Sequence, residues 1–188
     1  MTDLEVMRNS LVVGLTTTGA ARLHESLRAL RSPIVLVEEA AEILEAHVIC
    51  SLTEHCQQVI LIGDHKQLRP KPATYNLEVN YNLNISLFER IVKMRDKCTQ
   101  LVIQHRMRPE IAELISPSIY ETLENHISVF TYPAVKGMDK NLFFLNHQNH
   151  ESGSMETESV SNPFEVKFLL NFAKYLIQQG YAPDEITI

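Results

Sequence analysis

The sequence predicts an α/β fold built on a doubly wound parallel sheet, and three observations carry that reading. Short β-branched apolar runs alternate with amphipathic segments along the chain, the pattern of strands covered by helices. The runs at residues 34–37 and 58–62 are near-continuous apolar, as strands buried on two faces are. Each of them stops abruptly in a cluster of polar and charged residues, at the strand end where α/β sheets present a ligand crevice. Composition agrees: 188 residues, 45% hydrophobic and 21% charged, can bury a core and are neither collagen, coiled coil nor a disordered chain.

Taken in order, residues 11–16 form the first expected strand, ahead of a Thr-Gly-Ala turn. Ser32 and Pro33 introduce the strand at 34–37, a helix is expected over 40–53, and 58–62 returns as a strand. Residues 69–84, with two prolines, two tyrosines and four asparagines, read as a long surface loop. A helix follows at 86–96 with Leu87, Phe88, Ile91 and Val92 on its apolar face, then a strand at 99–104. Pro109 opens a helix running towards Tyr120, residues 121–140 are irregular, and 142–146 is one more strand. The polar run 147–161 is expected to be a disordered loop. The next helix has Asn162 as N-cap, Pro163 in the first position and Glu165 placed for a capping box. Along it Phe164, Phe168, Phe172 and Leu176 recur every four residues, and Gly180 suits the C-terminal turn. Residues 186–188 look like a strand just begun, as though the chain stops within a sheet.

Lys and Arg total 17 against 23 for Asp and Glu, a net charge of -6. Such a chain is a poor free-standing nucleic-acid binder, because counterion release needs a cationic face; a nucleic-acid role requires a local basic track or help from further sequence. Cys50, Cys56 and Cys98 are odd in number and show no Cys-x-x-Cys spacing, which fits a reducing compartment without disulfide or zinc. No apolar run approaches a membrane span and the first residues are no signal peptide, so the expected location is the cytoplasm, with the nucleus as the second possibility.

Three segments can do chemistry. Glu38 and Glu39 stand at the end of the 34–37 strand, where a divalent ion on a phosphate chain would meet their charge. The plainer reading is two acids near the positive start of a helix. Gly63, Asp64, Lys66, Gln67 and Arg69 follow the 58–62 strand, and parallel neighbours would bring both polar tips to one sheet edge. An amide at Gln67 can bond a terminal phosphate oxygen or an attacking water; the alternative is an ordinary Gly-Asp turn. Gln104, His105, Arg106, Met107, Arg108 and Pro109 follow the third strand, and a guanidinium suits charge developing on a transferred phosphoryl group. Otherwise this is a solvated basic turn before a helix.

In this order the three segments resemble motifs of the superfamily-one helicases, in the up-frameshift-like group that translocates on RNA or DNA. That family reads Asp-Glu-Ala-Ala, Gly-Asp-x-x-Gln-Leu and Gln-Tyr-Arg-Met-x-Pro; here stand Glu38-Glu39-Ala40-Ala41, Gly63-Asp64-His65-Lys66-Gln67-Leu68 and Gln104-His105-Arg106-Met107-Arg108-Pro109. Ser86-Leu87-Phe88-Glu89-Arg90 is similar to the family too, and residues 12–22 with the Glu-Glu pair look most like its NFX-type zinc-finger-containing branch.

The resemblance implies two RecA-like P-loop NTPase lobes, both partial. Residues 1–75 would close the first, 76–97 connect, and 98–188 begin the second, with the missing N- and C-terminal parts of the same polypeptide as partners. ATP and Mg²⁺ are the implied cofactors. Glu38 would hold Mg²⁺, Glu39 activate water, Gln67 sense the γ-phosphate, and Asp64 link that sensor to neighbouring loops. Arg106 would be the arginine finger; Gln104 and His105 would belong to the nucleotide site, His105 standing where a tyrosine stacks on adenine. Thr16, Thr17 and Thr18 match a motif that touches the backbone of single-stranded nucleic acid, RNA in preference to DNA.

Two residues depart from the family pattern. Glu38 for Asp moves the carboxylate outward by about one bond length, and Mg²⁺ demands near-ideal geometry; His105 for Tyr gives a smaller stacking ring. Gly14 to Gly19 has the glycine spacing of a phosphate loop, but Ala20 and Ala21 replace the Lys and hydroxyl such a loop needs. An ATP-dependent helicase is therefore the expectation, with this chain alone inactive. A catalytically inactive helicase-like RNA-binding or scaffold module is the alternative, and an unrelated nucleotide-binding or phosphotransfer α/β domain the third.

Overall fold

A computed structural model describes residues 3–95, 98–153 and 160–188, and the chain divides into two compact units, Met1–Gln100 and Leu101–Ile188. In the first unit three short helices precede the sheet: α1 (Asp3–Arg8), α2 (Thr17–Arg22) and α3 (His24–Leu30). Residues 11–16 do not form the expected strand. An apolar run becomes a strand only where a neighbour takes up its backbone groups, and this one lies exposed with no ladder partner among the described residues. It ends instead in a cap, Thr16 Oγ1 accepting the Gly19 N–H at 3.1 Å to start α2.

Strands β1 (Ile34–Val37) and β2 (Gln58–Leu61) pair in parallel, from Ile34 opposite Gln58 to Val37 opposite Leu61. Burial on two faces is not met: the ladder has two strands, and Ile34 and Leu36 are 55% and 53% exposed. The helix expected over 40–53 shrinks to α4 (Glu45–Ile49). Leu44 is extended and bridges Ser86, which draws the preceding residues out of helical geometry. Within the expected loop 69–84 lies a further helix, α5 (Tyr75–Tyr81), closed by Asn82 in the left-handed region at φ 53°. Helix α6 (Leu87–Arg95) follows as expected, its start fixed by the buried Ser86, whose Oγ accepts the Glu89 N–H at 3.1 Å; Asp96 lies outside the described residues.

The second unit opens with β3 (Ile103–Gln104), far shorter than 99–104, paired in parallel with β4 (Glu124–Asn125) inside the stretch read as irregular. Pro109 does open a helix, but α7 (Pro109–Ala112) lasts one turn. Loose turns replace the rest of the expected helix, and Pro117 has no N–H with which to continue it. A 3-10 turn over Ile127–Thr131 buries Val129. Residues 142–146 and 186–188 have no strand beside them among the described residues and stay irregular. Part of the expected disordered run is a small antiparallel pair, β5 (Ser152–Gly153) with β6 (Val160–Ser161); residues 154–159 lie outside the described set.

Helix α8 (Pro163–Gln178) is the longest element, and Asn162 Oδ1 caps it by accepting the Phe164 and Glu165 N–H groups at 3.1 and 3.3 Å. Glu165 does not close a capping box; its carboxylate meets His147 Nε2 at 3.0 Å. Phe168, Phe172 and Leu176 lie half-buried along one face, and Gly180 ends the helix at φ 95°. No described helix is long and apolar enough to cross a membrane.

Candidate functional site

The parallel register of β1 and β2 brings their two polar tips to the same edge. Past the ladder, Ile62 N–H donates to Val37 O at 2.9 Å and Ala40 N–H donates back to Ile62 O at 2.8 Å. Ala40 and Ala41 are buried against this junction, while Glu38 and Glu39 point their charge into water. Glu39 sits at φ 50°, which reverses the chain within one residue. Gly63 is required here on steric grounds: a Cβ would stand 2.8 Å from Ala41 N and 3.1 Å from Ala40 N, so the Glu-Glu-Ala-Ala turn rests on the bare glycine. Small residues in both motifs let them pack backbone to backbone.

Beyond Gly63, Asp64 organises its own turn. Its Oδ1 accepts the Lys66 N–H at 2.9 Å and its Oδ2 accepts a Gln67 Nε2 hydrogen, also at 2.9 Å. Asp64 is thus hydrogen-bonded directly to Gln67, which is held exposed at the edge. The buried Glu89 of α6 fastens the motif's far end: its Oε1 accepts Arg69 Nη2 and Lys93 Nζ, each at 2.6 Å. Burial pushes the Glu89 carboxyl up, but the hydrogen bonds from Lys93 and Arg69 outweigh it and hold the group below its usual range. Arg90 makes a bidentate pair with Glu45 of α4 at 2.8 and 2.6 Å. The phrase Ser86-Leu87-Phe88-Glu89-Arg90, to which no role was attached in the sequence, clamps α6 to the motif loop and to α4.

In the second unit Gln104 closes the loop that follows β3. Its Nε2 donates to Met107 O at 2.7 Å and Asn125 Oδ1 at 2.6 Å, and its Oε1 accepts the Arg106 and Met107 N–H groups at 2.9 and 2.7 Å. All four bonds of the amide are therefore made inside the unit. His105 and Arg106, at the crest, are exposed. The His105 ring lies against His126 with centroids 4.0 Å apart and planes tilted by 31°, and its carbonyl accepts the Tyr132 hydroxyl at 3.3 Å. Arg108 donates to Pro133 O and lies 5.8 Å from the Tyr132 ring centroid. Arg106 has no side-chain partner among the described residues, so of the two loop arginines it is the one available to an anion.

Glu38, Glu39, Asp64 and Gln67 thus share one edge of the first unit, and Gln104, His105 and Arg106 share one loop of the second. Thr16 caps α2, and Thr17 and Thr18 occupy its first turn. Asn125, His126 and Tyr132 carry no signal in the sequence, and Glu89 stands out there only as part of a family-like phrase. Among the described residues no three metal-ligating side chains cluster. The Glu38 carboxylate is exposed and has no partner among the described residues, and a carboxylate is the kind of ligand Mg²⁺ takes beside phosphate oxygens and water, so Glu38 is chemically suited to that ion.

Two family models, each described as an AAA domain, match residues 3–74 and 83–188. The NFX1-type zinc finger-containing protein 1 of Mus musculus is 50% identical over 186 residues, covering 99% of this chain and 10% of that protein. The helicase required for RNAi-mediated heterochromatin assembly 1 of Schizosaccharomyces pombe is 39% identical over 184 residues, covering 97% of this chain and 18% of that protein. Regulator of nonsense transcripts 1 of Dictyostelium discoideum is 29% identical over 197 residues, covering 100% and 14%. The chain spans about a tenth of the length of the first of these relatives. Matched over both AAA domains and carrying its motif segments at strand ends, the chain belongs to the up-frameshift-like group of superfamily-one helicases and has their RecA-like, P-loop NTPase fold.

Proposed function

We propose that this chain supplies part of two RecA-like lobes, residues 1–75 and 98–188 joined by 76–97, to a helicase that couples ATP hydrolysis to movement along single-stranded nucleic acid, RNA in preference to DNA. The observation that carries the proposal is the seat of Ala40 and Ala41 on Gly63, which puts Glu38, Glu39 and Gln67 on one edge. Glu38 holds the metal ion, and Glu39 takes the proton of the attacking water. Gln67, tied to Asp64, orients that water or a terminal phosphate oxygen. Mg²⁺, when bound, offsets the charge of the phosphate oxygens. Arg106 stabilises charge on the transferred group, His105 stacks on the adenine, and Gln104 positions both by closing their loop. The Thr16, Thr17 and Thr18 segment meets the nucleic-acid backbone. The cytoplasm is the proposed site of action.

The test is RNA-stimulated ATP turnover by the longer polypeptide that carries this sequence. Arg106→Ala and Glu39→Gln should each lower kcat by roughly a thousandfold with protein fold intact. Turnover undiminished in both variants overturns the assignment. One observation favours a second reading, a catalytically silent RNA-binding or scaffold module: Glu38, a methylene longer than the family's Asp, is exposed, and no partner among the described residues fixes its carboxylate. In that case the wild-type polypeptide binds RNA without turnover, and Glu38→Asp does not restore it.

A further inference from the structure

We infer that His126 is the second ring of a base-stacking platform, holding His105 so that its open face receives the adenine; this rests on the nucleotide-site reading of the loop after β3. His105 is exposed, yet its ring already packs against His126 at a centroid distance of 4.0 Å, the planes tilted by 31°. His126 owes its own place to other bonds. Its Nδ1 accepts the Ser128 N–H at 3.2 Å and lies 2.9 Å from Ser128 Oγ, capping the 3-10 turn, and its backbone N–H donates to Gln104 O at 3.0 Å. The ring is thereby fixed to the strand pair that also carries His105. Asn125, its neighbour on β4, holds the Gln104 amide at 2.6 Å, and Tyr132 holds the His105 carbonyl. A lone exposed imidazole would lose the freedom of its two side-chain torsions on meeting a base, whereas one already packed has lost it beforehand. His126 acts through His105 and is a positioning residue.

Two variants separate the ring from the cap. His126→Asn keeps an acceptor for the Ser128 N–H and removes the ring; His126→Phe keeps a ring and removes the acceptor. The longer polypeptide that carries this sequence, with its histidines isotope-labelled, is titrated with ATP and, separately, with inorganic tripolyphosphate, while binding is read by calorimetry and the His105 ring by NMR. In the wild type ATP shifts the His105 ring signals and binds more tightly than tripolyphosphate. His126→Asn should weaken ATP by about three- to tenfold, in line with the immobilisation of one side chain, and leave tripolyphosphate unchanged; His126→Phe should keep the preference for ATP. Full ATP affinity in a folded His126→Asn polypeptide, or loss of the preference in a folded His126→Phe polypeptide, overturns the role of His126 and leaves the base site standing. No response of the wild-type His105 ring to ATP overturns the base site, and this inference with it.

Discussion

Arg108 binds the Pro133 carbonyl and lies over Tyr132, whereas Arg106, two residues earlier, reaches no partner among the described residues. Removing each side chain should therefore have unequal consequences for stability. Arg108→Ala forfeits hydrogen bonding to a carbonyl and a cation–π contact, which together are worth about 1–2 kcal/mol, and should lower the thermal midpoint of the second unit by several degrees. Arg106→Ala should change stability by no more than about 0.5 kcal/mol, as exposed substitutions away from special features do. A melting series by circular dichroism decides this, and equal losses in the two variants would contradict the division of roles. Gly63 poses a purely steric case in the first unit. A methyl there would press on the backbone nitrogens of Ala41 and Ala40, which cannot turn aside as a flexible side chain can. Gly63→Ala should cost about 1–3 kcal/mol by overpacking, read from the urea midpoint; a neutral result would mean that the Glu-Glu-Ala-Ala turn is looser than its hydrogen bonds indicate.

At the level of elements, α6 is joined to the motif loop through one buried carboxylate. Glu89 is 2% exposed, while Arg69 and Lys93 are 47% and 58% exposed, so both cations can return to water when the acid is neutralised. Glu89→Gln should accordingly cost about 1–2 kcal/mol at neutral pH, short of the 3–5 that stranding a buried charge would bring. Because the folded-state pKa of Glu89 is depressed, its contribution is complete above the unfolded carboxylate value, about 4.3, and disappears as pH falls through the lower folded value. The stability gap between wild type and Glu89→Gln should therefore close below about pH 4, and denaturant curves on either side of that pH measure it; a constant gap would show that the charge is not what joins α6 to the loop. Elements set by local chemistry were legible in the sequence. The Asn162 cap, Pro163 and a four-residue aromatic spacing specify α8, and an apolar run ending in acids specifies β1. What could not be read is what distant pairing decides: Leu44 bridging Ser86 cuts α4 short, and the strand expected at 11–16 lacks a partner among the described residues. The site divides in the same way. Glu38, Gln67 and Arg106 announce themselves at strand ends, whereas Asn125 and His126 sit in a patternless stretch and gain meaning only because β4 pairs with β3.

For the molecule as a whole, the two-stranded ladder of the first unit leaves Leu36 and other apolar side chains in water, and Phe144 and Ile127 are left so in the second. Two strands alone are marginal in stability, and apolar surface of this kind draws other apolar surface to itself. The 188-residue chain should bind an apolar dye such as ANS and self-associate as its concentration rises, which sedimentation velocity resolves; a monodisperse monomer that leaves the dye dark would mean that these side chains are covered. Chemistry at this scale depends on a group that the sequence does not provide. In the proposed roles Glu38 would hold a metal, and Glu39 and Gln67 would act on water, only against a triphosphate fixed in place, yet Ala20 and Ala21 stand where a phosphate loop needs its lysine and hydroxyl. The isolated chain at micromolar concentration should consequently release no phosphate from Mg·ATP above a blank, with or without single-stranded RNA. Phosphate release that Glu39→Gln abolishes would refute this expectation, because it would require the chain to grip the triphosphate by residues other than those of a phosphate loop. Release that survives Glu39→Gln would point to a contaminating enzyme. Silence from the chain, joined with turnover in the longer polypeptide that Arg106→Ala removes, is the pair of results that places hydrolysis in the assembled helicase and assigns this stretch its water-activating and charge-stabilising groups.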